Sequence, residues 1–323
     1  MEYRTLGRTG ISVSQLCYGT MSFGGDADEQ MSEAMFHRCR EKGINFFDCA
    51  NVYQAGSAEK LLGRFMAGCR DELVITTKGC MPIGDDVNSR GLSRRHIFMA
   101  VEASLERLGT DRVELYFVHH LDPKTQWEVT LRALDDLVQQ GKILHAGVSN
   151  WSAWQIARTL GHCERLNLSG FECIQPMYNL VKRQAEVEIL PMAEAESLAV
   201  INYSPLAGGL LAGKYAGPAS KGEGRLATNR MYSNRYHERI YYEVADRFCA
   251  HAKEHGDHPV SLAVAWTMAH PAITCPIIGA RNLEQLEASL NAVDVKMTPQ
   301  RRAEISALSP APALATDRAE EQD

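Results

Sequence analysis

The sequence predicts an α/β protein folded as a (β/α)8 TIM barrel. Eight short apolar segments alternate with longer segments of helical periodicity, which is the order expected of parallel strands and their crossover helices. A length of 323 residues fits one such barrel. A doubly wound sheet is the alternative. It needs a glycine-rich phosphate loop after its first strand, and YGTMSFGGDADE at 18–29 lacks the GxGxxG spacing.

The predicted strands are brief and apolar, as is typical of parallel strands covered on both faces. In chain order they are QLCYG at 15–19, INFFD at 44–48, LVITTK at 73–78, VELYFVH at 113–119, ILHAGVS at 143–149, FECIQ at 171–175, AVINYS at 199–204 and ITCPII at 273–278. The predicted helices span about 28–42, 57–67, 93–108, 126–140, 152–161, 185–197, 238–255 and 282–291. The third helix shows the pattern well, since Ser93 is a suitable cap and Gly109 a suitable terminator.

Three segments fall outside the eightfold alternation. YRTLGRTGISVS at 3–14 predicts a small hairpin that turns at Gly7–Gly10 and closes the bottom of the barrel. The segment 206–237 predicts a long loop after strand seven, and loops of that length within a compact domain are usually functional. We expect a single barrel domain at 1–308 and a disordered, acidic tail at 309–323.

Composition argues against several classes of function. The formal net charge is −6 and no basic stripe is present, so we expect no nucleic-acid partner. The polar start MEYRTLGRTG and the lack of a run of about 18–20 apolar residues predict no signal segment and no membrane partner. Nine scattered cysteines without a CxxC motif predict reduced core thiols in a cytoplasmic protein.

Titratable residues collect at the carboxyl ends of the predicted strands, where barrel enzymes carry their chemistry. Asp48 ends strand two and Tyr53 follows it, Lys78 ends strand three, and His119 ends strand four. A tyrosine hydroxyl, with an ordinary pKa of about 10, exchanges protons more readily near neutral pH beside a cation, which Lys78 would supply. Asp48 would pair with Lys78. His119 would polarise a carbonyl oxygen beside Tyr53.

Each of these residues also has a purely structural explanation. Asp48 alone is compatible with a cap, Tyr53 with a packing aromatic, and Lys78 with a solvated strand end. The adjacent His119 and His120 are compatible with a core pair or a metal site, but no third ligand has metal spacing, so we predict no metal. Their joint occurrence at successive strand ends favours catalysis.

Seven motifs, in order, resemble the aldo-keto reductase superfamily. They are FFDCANVYQAGSAEKLLG, VITTK, LYFVHH, GVSN, QPMYNL, YSPLAGGLLAGKY and PIIGARNLEQLEASL. The likeness covers roughly residues 1–308 and is greatest to the aryl-alcohol dehydrogenase-like and potassium-channel β-subunit-like branches. It implies that the catalytic residues are Asp48, Tyr53, Lys78 and His119. His119 matches rather than His120, because it lies three residues after Tyr116 in the LYxxH pattern.

The resemblance also implies NADPH as the cofactor, bound without a Rossmann fold. Gly19 and Thr20 would contact its nicotinamide end, and Tyr203 would stack on the ring. The carboxamide would bond to Ser149, Asn150 and Gln175. The pyrophosphate would be wrapped by the loop that contains Ser204, Leu206, Gly208, Leu210 and Lys214.

The adenosine end would lie beside Gly279, Arg281, Gln285 and Ser289. Arg281 occupies the position where the family binds the 2′-phosphate, and a guanidinium beside a helix N-terminus suits a phosphate dianion. QLEAS at 285–289 departs from the QLEEN of many relatives, which removes a carboxylate and an amide near the adenine. Arg281 favours NADPH, and NADH is the alternative.

The expected partner is a small carbonyl or alcohol substrate. Its pocket would include Met21, Phe23, His120 and Trp151, together with Tyr53, Lys78, Met81 and residues near 229–236, which suits an aryl aldehyde or a bulky ketone. Two functions stay open: reversible carbonyl reduction with Tyr53 as proton donor, or a redox-sensing subunit that binds NADPH with little turnover. The sequence does not predict the natural substrate or the preferred direction of the reaction. It does not predict the oligomeric state either, and a homo-oligomer stays open.

Overall fold

The chain forms a closed barrel of eight parallel strands, in a computed structural model that describes residues 1–215, 226 and 229–318. The barrel strands are β3 (Cys17–Gly19), β4 (Phe46–Asp48), β5 (Val74–Gly79), β6 (Val113–Val118), β7 (Ile143–Ser149), β8 (Phe171–Gln175), β9 (Ala199–Asn202) and β10 (Cys275–Ile278). Each pairs with the next in sequence, and β10 pairs with β3 to close the ring. The predicted fold class is confirmed, and every predicted strand is present to within two residues at each end.

An antiparallel hairpin precedes the barrel, formed by β1 (Tyr3–Thr5) and β2 (Ser12–Ser14). It packs against the amino-terminal starts of barrel strands. A Cβ placed on Gly7 would lie 2.8 Å from the nitrogen of Ala199 and 3.0 Å from the carbonyl oxygen of Glu172. The hairpin therefore closes the end of the barrel opposite to the carboxyl ends of the strands, as predicted.

The helices surround the barrel and bury one face against it. They are α1 (Glu29–Glu41), α2 (Ser57–Met66), α3 (Arg94–Leu108), α4 (Trp127–Gln139), α5 (Ala153–Leu166), α6 (Ile189–Ala195), α7 (Arg230–Arg235), α8 (Arg239–Glu254), α9 (Pro259–Met268), α10 (Leu283–Leu290) and α11 (Pro299–Ser306). The predicted caps of α3 are confirmed: Ser93 Oγ accepts a hydrogen bond from the nitrogen of His96 at 3.2 Å, and Gly109 ends the helix in the left-handed conformation.

Two helices, α5 and α6, differ clearly in length from the prediction. α5 continues past residue 161 because Gly161 does not interrupt it, and Asn167, with φ of 52°, ends it instead. α6 is shorter than predicted, because a separate 3-10 turn forms at Gln184–Glu186 before it. Helices α7, α9 and α11 are absent from the prediction. In α9, PVSLAVAWTM is buried on nearly every face and so has no apolar stripe to detect.

The long segment after β9 contains a 3-10 turn at Ala207–Ala212 and the short helix α7. Residues 216–225 and 227–228 of the predicted loop lie outside the described residues, as do residues 319–323 of the predicted tail. Residues 310–318 of that tail contain neither helix nor strand. No helix in the described ranges is both long and apolar enough to span a membrane. All nine cysteines are unpaired thiols.

Candidate active site

A cavity of about 460 Å³ opens at the carboxyl ends of the strands. It extends from Asp48 and Tyr53 at one end to Arg281 and Ser289 at the other. Because parallel strands place their last residues at the same rim, residues far apart in sequence meet here. The cavity lies at the end of the barrel that the hairpin leaves open.

Three of the predicted catalytic side chains form one hydrogen-bonded chain. Lys78 Nζ donates to Asp48 Oδ2 and to the carbonyl oxygen of Cys49, at 2.6 Å each. It lies 3.3 Å from the hydroxyl of Tyr53. Lys78 is completely buried and Asp48 nearly so, which makes their ion pair one of the least exposed in the protein. The His119 ring meets the Tyr53 ring edge to face, with centroids 6.4 Å apart.

Burial decides the protonation states in this chain. It opposes the charge on Lys78, but attraction to Asp48 and Tyr53 outweighs it, and the pKa of Lys78 lies above its ordinary value. Burial raises the pKa of Tyr53 to about 12, and the Lys78 ammonium lowers it only in part. The effect of Lys78 has the direction expected from sequence, but burial outweighs it. Tyr53 keeps its proton at neutral pH and is poised to donate it.

His119 is a neutral imidazole in this environment. Burial, Lys78 and the adjacent His120 lower its pKa to about 3. Its Nδ1 atom is buried, and among the described residues it has no hydrogen-bond partner. His120 stacks on His119 with ring centroids 5.3 Å apart and lines the cavity. A neutral ring keeps one N–H for donation and carries no charge that would repel Lys78.

The backbone after Tyr53 makes a strained turn that fixes the phenol. Gln54 and Ala55 have φ of 48° and 53°, in the left-handed region that most side chains avoid, and Gly56 follows at 91°. Behind the turn, a Cβ on Gly56 would lie 2.9 Å from Cδ of Arg107. Arg107 Nε donates to the fully buried carboxylate of Glu59 at 2.7 Å. This buried ion pair backs the turn and holds it against the start of α2.

A second polar group adjoins the first at the ends of β7, β8 and β9. Gln175 Nε2 donates to Asp48 Oδ1 at 2.9 Å, which connects this group to the Lys78 ion pair. Ser149 Oγ donates to the carbonyl oxygen of Gln175 at 2.8 Å. The Tyr203 hydroxyl donates to Asn150 Oδ1 at 2.8 Å, and Asn150 Nδ2 donates to the carbonyl oxygen of His119 at 3.0 Å. These side chains present amide and hydroxyl groups beside one aromatic ring.

The segment after β9 curls around the cavity in unusual backbone conformations. Ser204 and Ala207 have φ of 59° and 51°, and the next two residues are glycines that are also left-handed. Mixed right- and left-handed conformations turn successive N–H groups to one side and create a concave cradle for an anion. Ser204, Leu206, Gly208 and Lys214 line the cavity here.

At the far end, residues after β10 line the cavity: Gly279, Arg281, Gln285 and Ser289. Arg281 Nε pairs with Asp26 Oδ2 at 3.0 Å, and the Arg281 nitrogen donates to Gln285 Oε1 at 3.3 Å. The Arg281 backbone therefore bonds to a side chain in the first turn of α10, and its guanidinium pairs with an exposed carboxylate.

Besides Lys78, four predicted contact residues do not line the cavity. Thr20 is buried and donates to the carbonyl oxygen of Asp48 at 3.0 Å. Phe23 is completely buried against Tyr18 and Phe65, because a tight turn, in which its nitrogen bonds to the carbonyl oxygen of Thr20, directs it into the core. Leu210 is 2% exposed and belongs to the core.

Trp151 is the fourth and packs edge to face on Phe171 with its indole in the core. Met21, Gly19 and Met81 line the cavity as expected, whereas Lys78 lies beneath its wall. No sequence pattern identifies the wall residues Ser22, Val52, Tyr215, Tyr232 and Arg235 individually. Tyr232 and Arg235 lie within the stretch 229–236, which the sequence predicts only as a whole to be near the pocket.

The described residues suit a dinucleotide more than a metal ion. The cavity joins an amide-and-aromatic end to a cationic end through a backbone cradle, and these groups could hold the ring and the pyrophosphate of a dinucleotide. In the ranges 1–215 and 229–318, no three His, Cys, Asp or Glu side chains are grouped as a metal ion would require.

Comparison with known proteins shows similarity along nearly the whole chain. A model of the Aldo/keto reductase family matches residues 15–310. The "Uncharacterized oxidoreductase YrpG" of Bacillus subtilis is 37% identical over 330 residues, covering 99% of both chains. The "Probable voltage-gated potassium channel subunit beta" of Arabidopsis thaliana is 35% identical, covering 91% of this chain and 92% of that protein. The "Versiconal hemiacetal acetate reductase" of Aspergillus parasiticus is 30% identical, covering 93% and 94%.

Proposed function

Because the chain belongs to the aldo/keto reductase family, we propose that it is an NADPH-dependent oxidoreductase that reversibly reduces an aldehyde or ketone to the alcohol. The observation that carries this proposal is the buried chain Asp48–Lys78–Tyr53, which ends on a protonated phenol in the cavity wall. A packing aromatic would not need a fully buried ion pair behind it, since such pairs contribute little net stability.

The residues of this chain divide the work around the substrate carbonyl. NADPH, when bound, supplies the hydride that adds to the carbonyl carbon. The Tyr53 hydroxyl donates its proton to the carbonyl oxygen as that oxygen gains negative charge. The Lys78 ammonium, 3.3 Å away, stabilises the phenolate that is left, and Asp48 holds the ammonium in place. Neutral His119 donates a hydrogen bond to the same oxygen and orients it.

The remaining polar groups would hold the dinucleotide. Ser149, Asn150 and Gln175 would bind the carboxamide, and Tyr203 would stack on the nicotinamide ring. The cradle at Ser204–Gly208, with Lys214, would bind the pyrophosphate. Arg281 would bind the 2′-phosphate, which is why we propose NADPH in preference to NADH.

The wall near Tyr53 suits a substrate with an apolar body. Met21, Met81 and Met231 contribute thioether side chains, which adapt to varied shapes. Val52 adds a further apolar surface, and His120 a polar one. An aryl aldehyde or a bulky ketone fits this combination.

The test measures NADPH binding and turnover separately. Binding is followed by the change in NADPH fluorescence, with NADH as the comparison, and turnover of 4-nitrobenzaldehyde by the loss of reduced-nicotinamide absorbance. The variant Tyr53→Phe should lose reduction by a factor on the order of 100 or more while NADPH binding stays within about twofold. Tyr3→Phe is the matched control, because it removes one hydroxyl from an exposed ring of the hairpin. Turnover by Tyr53→Phe near the wild-type rate would refute the role of Tyr53.

A second candidate is a regulatory subunit that binds NADPH and reports its redox state with little turnover. It is motivated by the similarity to the Arabidopsis potassium channel subunit and to a rice protein of the same name, which is 36% identical. The same two measurements discriminate. Tight NADPH binding without reduction of a panel of aromatic, aliphatic and dicarbonyl substrates would support this candidate over the reductase.

A further inference from the structure

One charged side chain of the cavity wall has no role in the site described so far. Arg235 ends α7 and lines the same cavity as Tyr53, His119 and His120. Its guanidinium carbon lies 5.5 Å from the ring centroid of Tyr203 and 5.3 Å from that of Tyr232. Cation–π contacts with the two rings hold the guanidinium in one position and restrict its motion.

The charge around Arg235 is not balanced by protein groups that the structure describes. Asp48 is the only carboxylate among the described wall residues, and Lys78 already binds it at 2.6 Å. Within the described ranges, Arg235 forms no ion pair. An arginine keeps its charge at every physiological pH. Among the described wall residues, the cavity therefore presents a cation without a counter-charge, although the whole chain has a net charge of −6.

Arg235 lies close to the reacting groups rather than at the adenosine end. The Tyr203 ring on which it stacks bonds to Asn150, and Asn150 bonds to the carbonyl oxygen of His119. Burial and the charge of Arg235 together lower the pKa of His120, which stacks on His119. In the described part of the wall, the two other cationic residues are Lys214 and Arg281, which are assigned to the cofactor phosphates. Arg235 is thus the cation left for the substrate.

We infer that Arg235 determines specificity, and that the preferred substrates are carbonyl compounds bearing an anionic group, a carboxylate foremost. The planar guanidinium would bind both carboxylate oxygens while the carbonyl lies at Tyr53 and His119. The apolar wall of methionines would cover the body of the substrate between its two polar ends. This inference rests on the proposed function, because it names the substrate class of the same site.

Two other roles for Arg235 make different predictions. If Arg235 only packs against Tyr203, loss of Arg235 would lower kcat/KM equally for all substrates. If Arg235 binds a cofactor phosphate, loss of Arg235 would weaken the binding of NADPH itself. A contact with the substrate anion would affect charged substrates alone.

The experiment compares 4-carboxybenzaldehyde with its uncharged counterpart, methyl 4-formylbenzoate, at saturating NADPH. For the wild type we expect kcat/KM to favour the carboxylate. In Arg235→Gln that value should fall on the order of 10- to 100-fold for the carboxylate, chiefly through KM, because a charge-assisted hydrogen bond is lost. The value for the ester should change less than about threefold. Arg230→Gln is the matched control, since it removes the same charge from the exposed start of α7.

Three results would overturn the inference: equal losses for both substrates, a weaker Kd for NADPH in Arg235→Gln, or a wild type that does not favour the carboxylate. If the wild type reduces neither aldehyde nor any member of the carbonyl panel, the proposed function fails. The binding of 4-(hydroxymethyl)benzoate and of its methyl ester to the NADP⁺-loaded protein still tests Arg235. Selective weakening of the carboxylate in Arg235→Gln supports the inference, and equal binding contradicts it. Pyridoxal 5′-phosphate compared with pyridoxal shows whether a phosphate is accepted at the same place.

Discussion

Replacing Asp48 with asparagine tests whether the buried ion pair is the foundation of the site. Asp48 accepts from two donors at once, Lys78 Nζ at 2.6 Å and Gln175 Nε2 at 2.9 Å. An amide has one acceptor oxygen and one NH2 group, so it must turn its NH2 towards one of these two donors. Either choice leaves two donors facing each other. The change also leaves the completely buried Lys78 ammonium without a counter-charge.

The cost should be large for a substitution that removes no volume. Loss of one partner from a buried ion pair costs about 3–5 kcal/mol. Because burial is the strongest influence on the pKa of Lys78 and acts to lower it, the pKa should fall once Asp48 no longer opposes burial. A neutral Lys78 no longer stabilises the phenolate of Tyr53, and reduction should fall together with stability.

Urea unfolding followed by circular dichroism and tryptophan fluorescence gives the loss in stability, and reduction of 4-nitrobenzaldehyde gives the loss in activity. Asp136→Asn is the matched control, because Asp136 pairs with Arg94 on the surface, where both side chains are about half exposed. That pair should contribute at most about 1 kcal/mol. If Asp48→Asn lost no more stability than Asp136→Asn, the reasoning from burial would be refuted.

Three further predictions follow from single features. Gly79→Ala should lose about 1–3 kcal/mol of unfolding free energy, since its Cβ would lie 1.9 Å from the hydroxyl of buried Tyr116. Gly161→Ala, on an open face of α5, should gain up to about 1 kcal/mol, and equal effects of the two changes in urea unfolding would contradict this reasoning. Buried His119 has a pKa of about 3 and stays neutral where the unfolded chain accepts a proton, below about pH 6.5. The free energy of unfolding should therefore fall as the pH falls from 6.5 towards 3. Denaturation measured at each pH should show the stability advantage of the wild type over His119→Asn shrinking over that range. Arg281→Gln should raise the Kd of NADPH about tenfold or more and that of NADH by less than about twofold in fluorescence titrations, and equal effects would refute the 2′-phosphate contact.

The barrel was predictable because its strands are short apolar runs, and a run such as ILHAGVS needs no tertiary knowledge to recognise. Helix α9 was not predictable from periodicity, because a helix buried on nearly all faces has no polar stripe. Helix α5 extends beyond its predicted end because Gly161 is tolerated on an exposed face.

Within the site, sequence reasoning placed the strand-end residues at one rim but not their electrostatics. The direction of the Tyr53 pKa depends on how deeply the phenol is buried, and the spacing of Tyr53 from Asp48 carries no information on depth. Phe23 turned inward because of a tight turn that no motif announced. Arg235 lies in a long segment without a strand end to anchor it, and only the folded chain brings it beside Tyr203.

At the left-handed turn of Gln54, Ala55 and Gly56, the stability of the protein and the rate of catalysis make opposite demands on the sequence. Non-glycine residues in that conformation each cost on the order of 1 kcal/mol. A change of Ala55 to glycine would relieve part of that strain and raise thermal tolerance. It would also position the Tyr53 hydroxyl less precisely. Selection for robustness and selection for rate therefore act in opposite directions on this turn, and a programme that seeks a hardier catalyst should begin elsewhere in the chain.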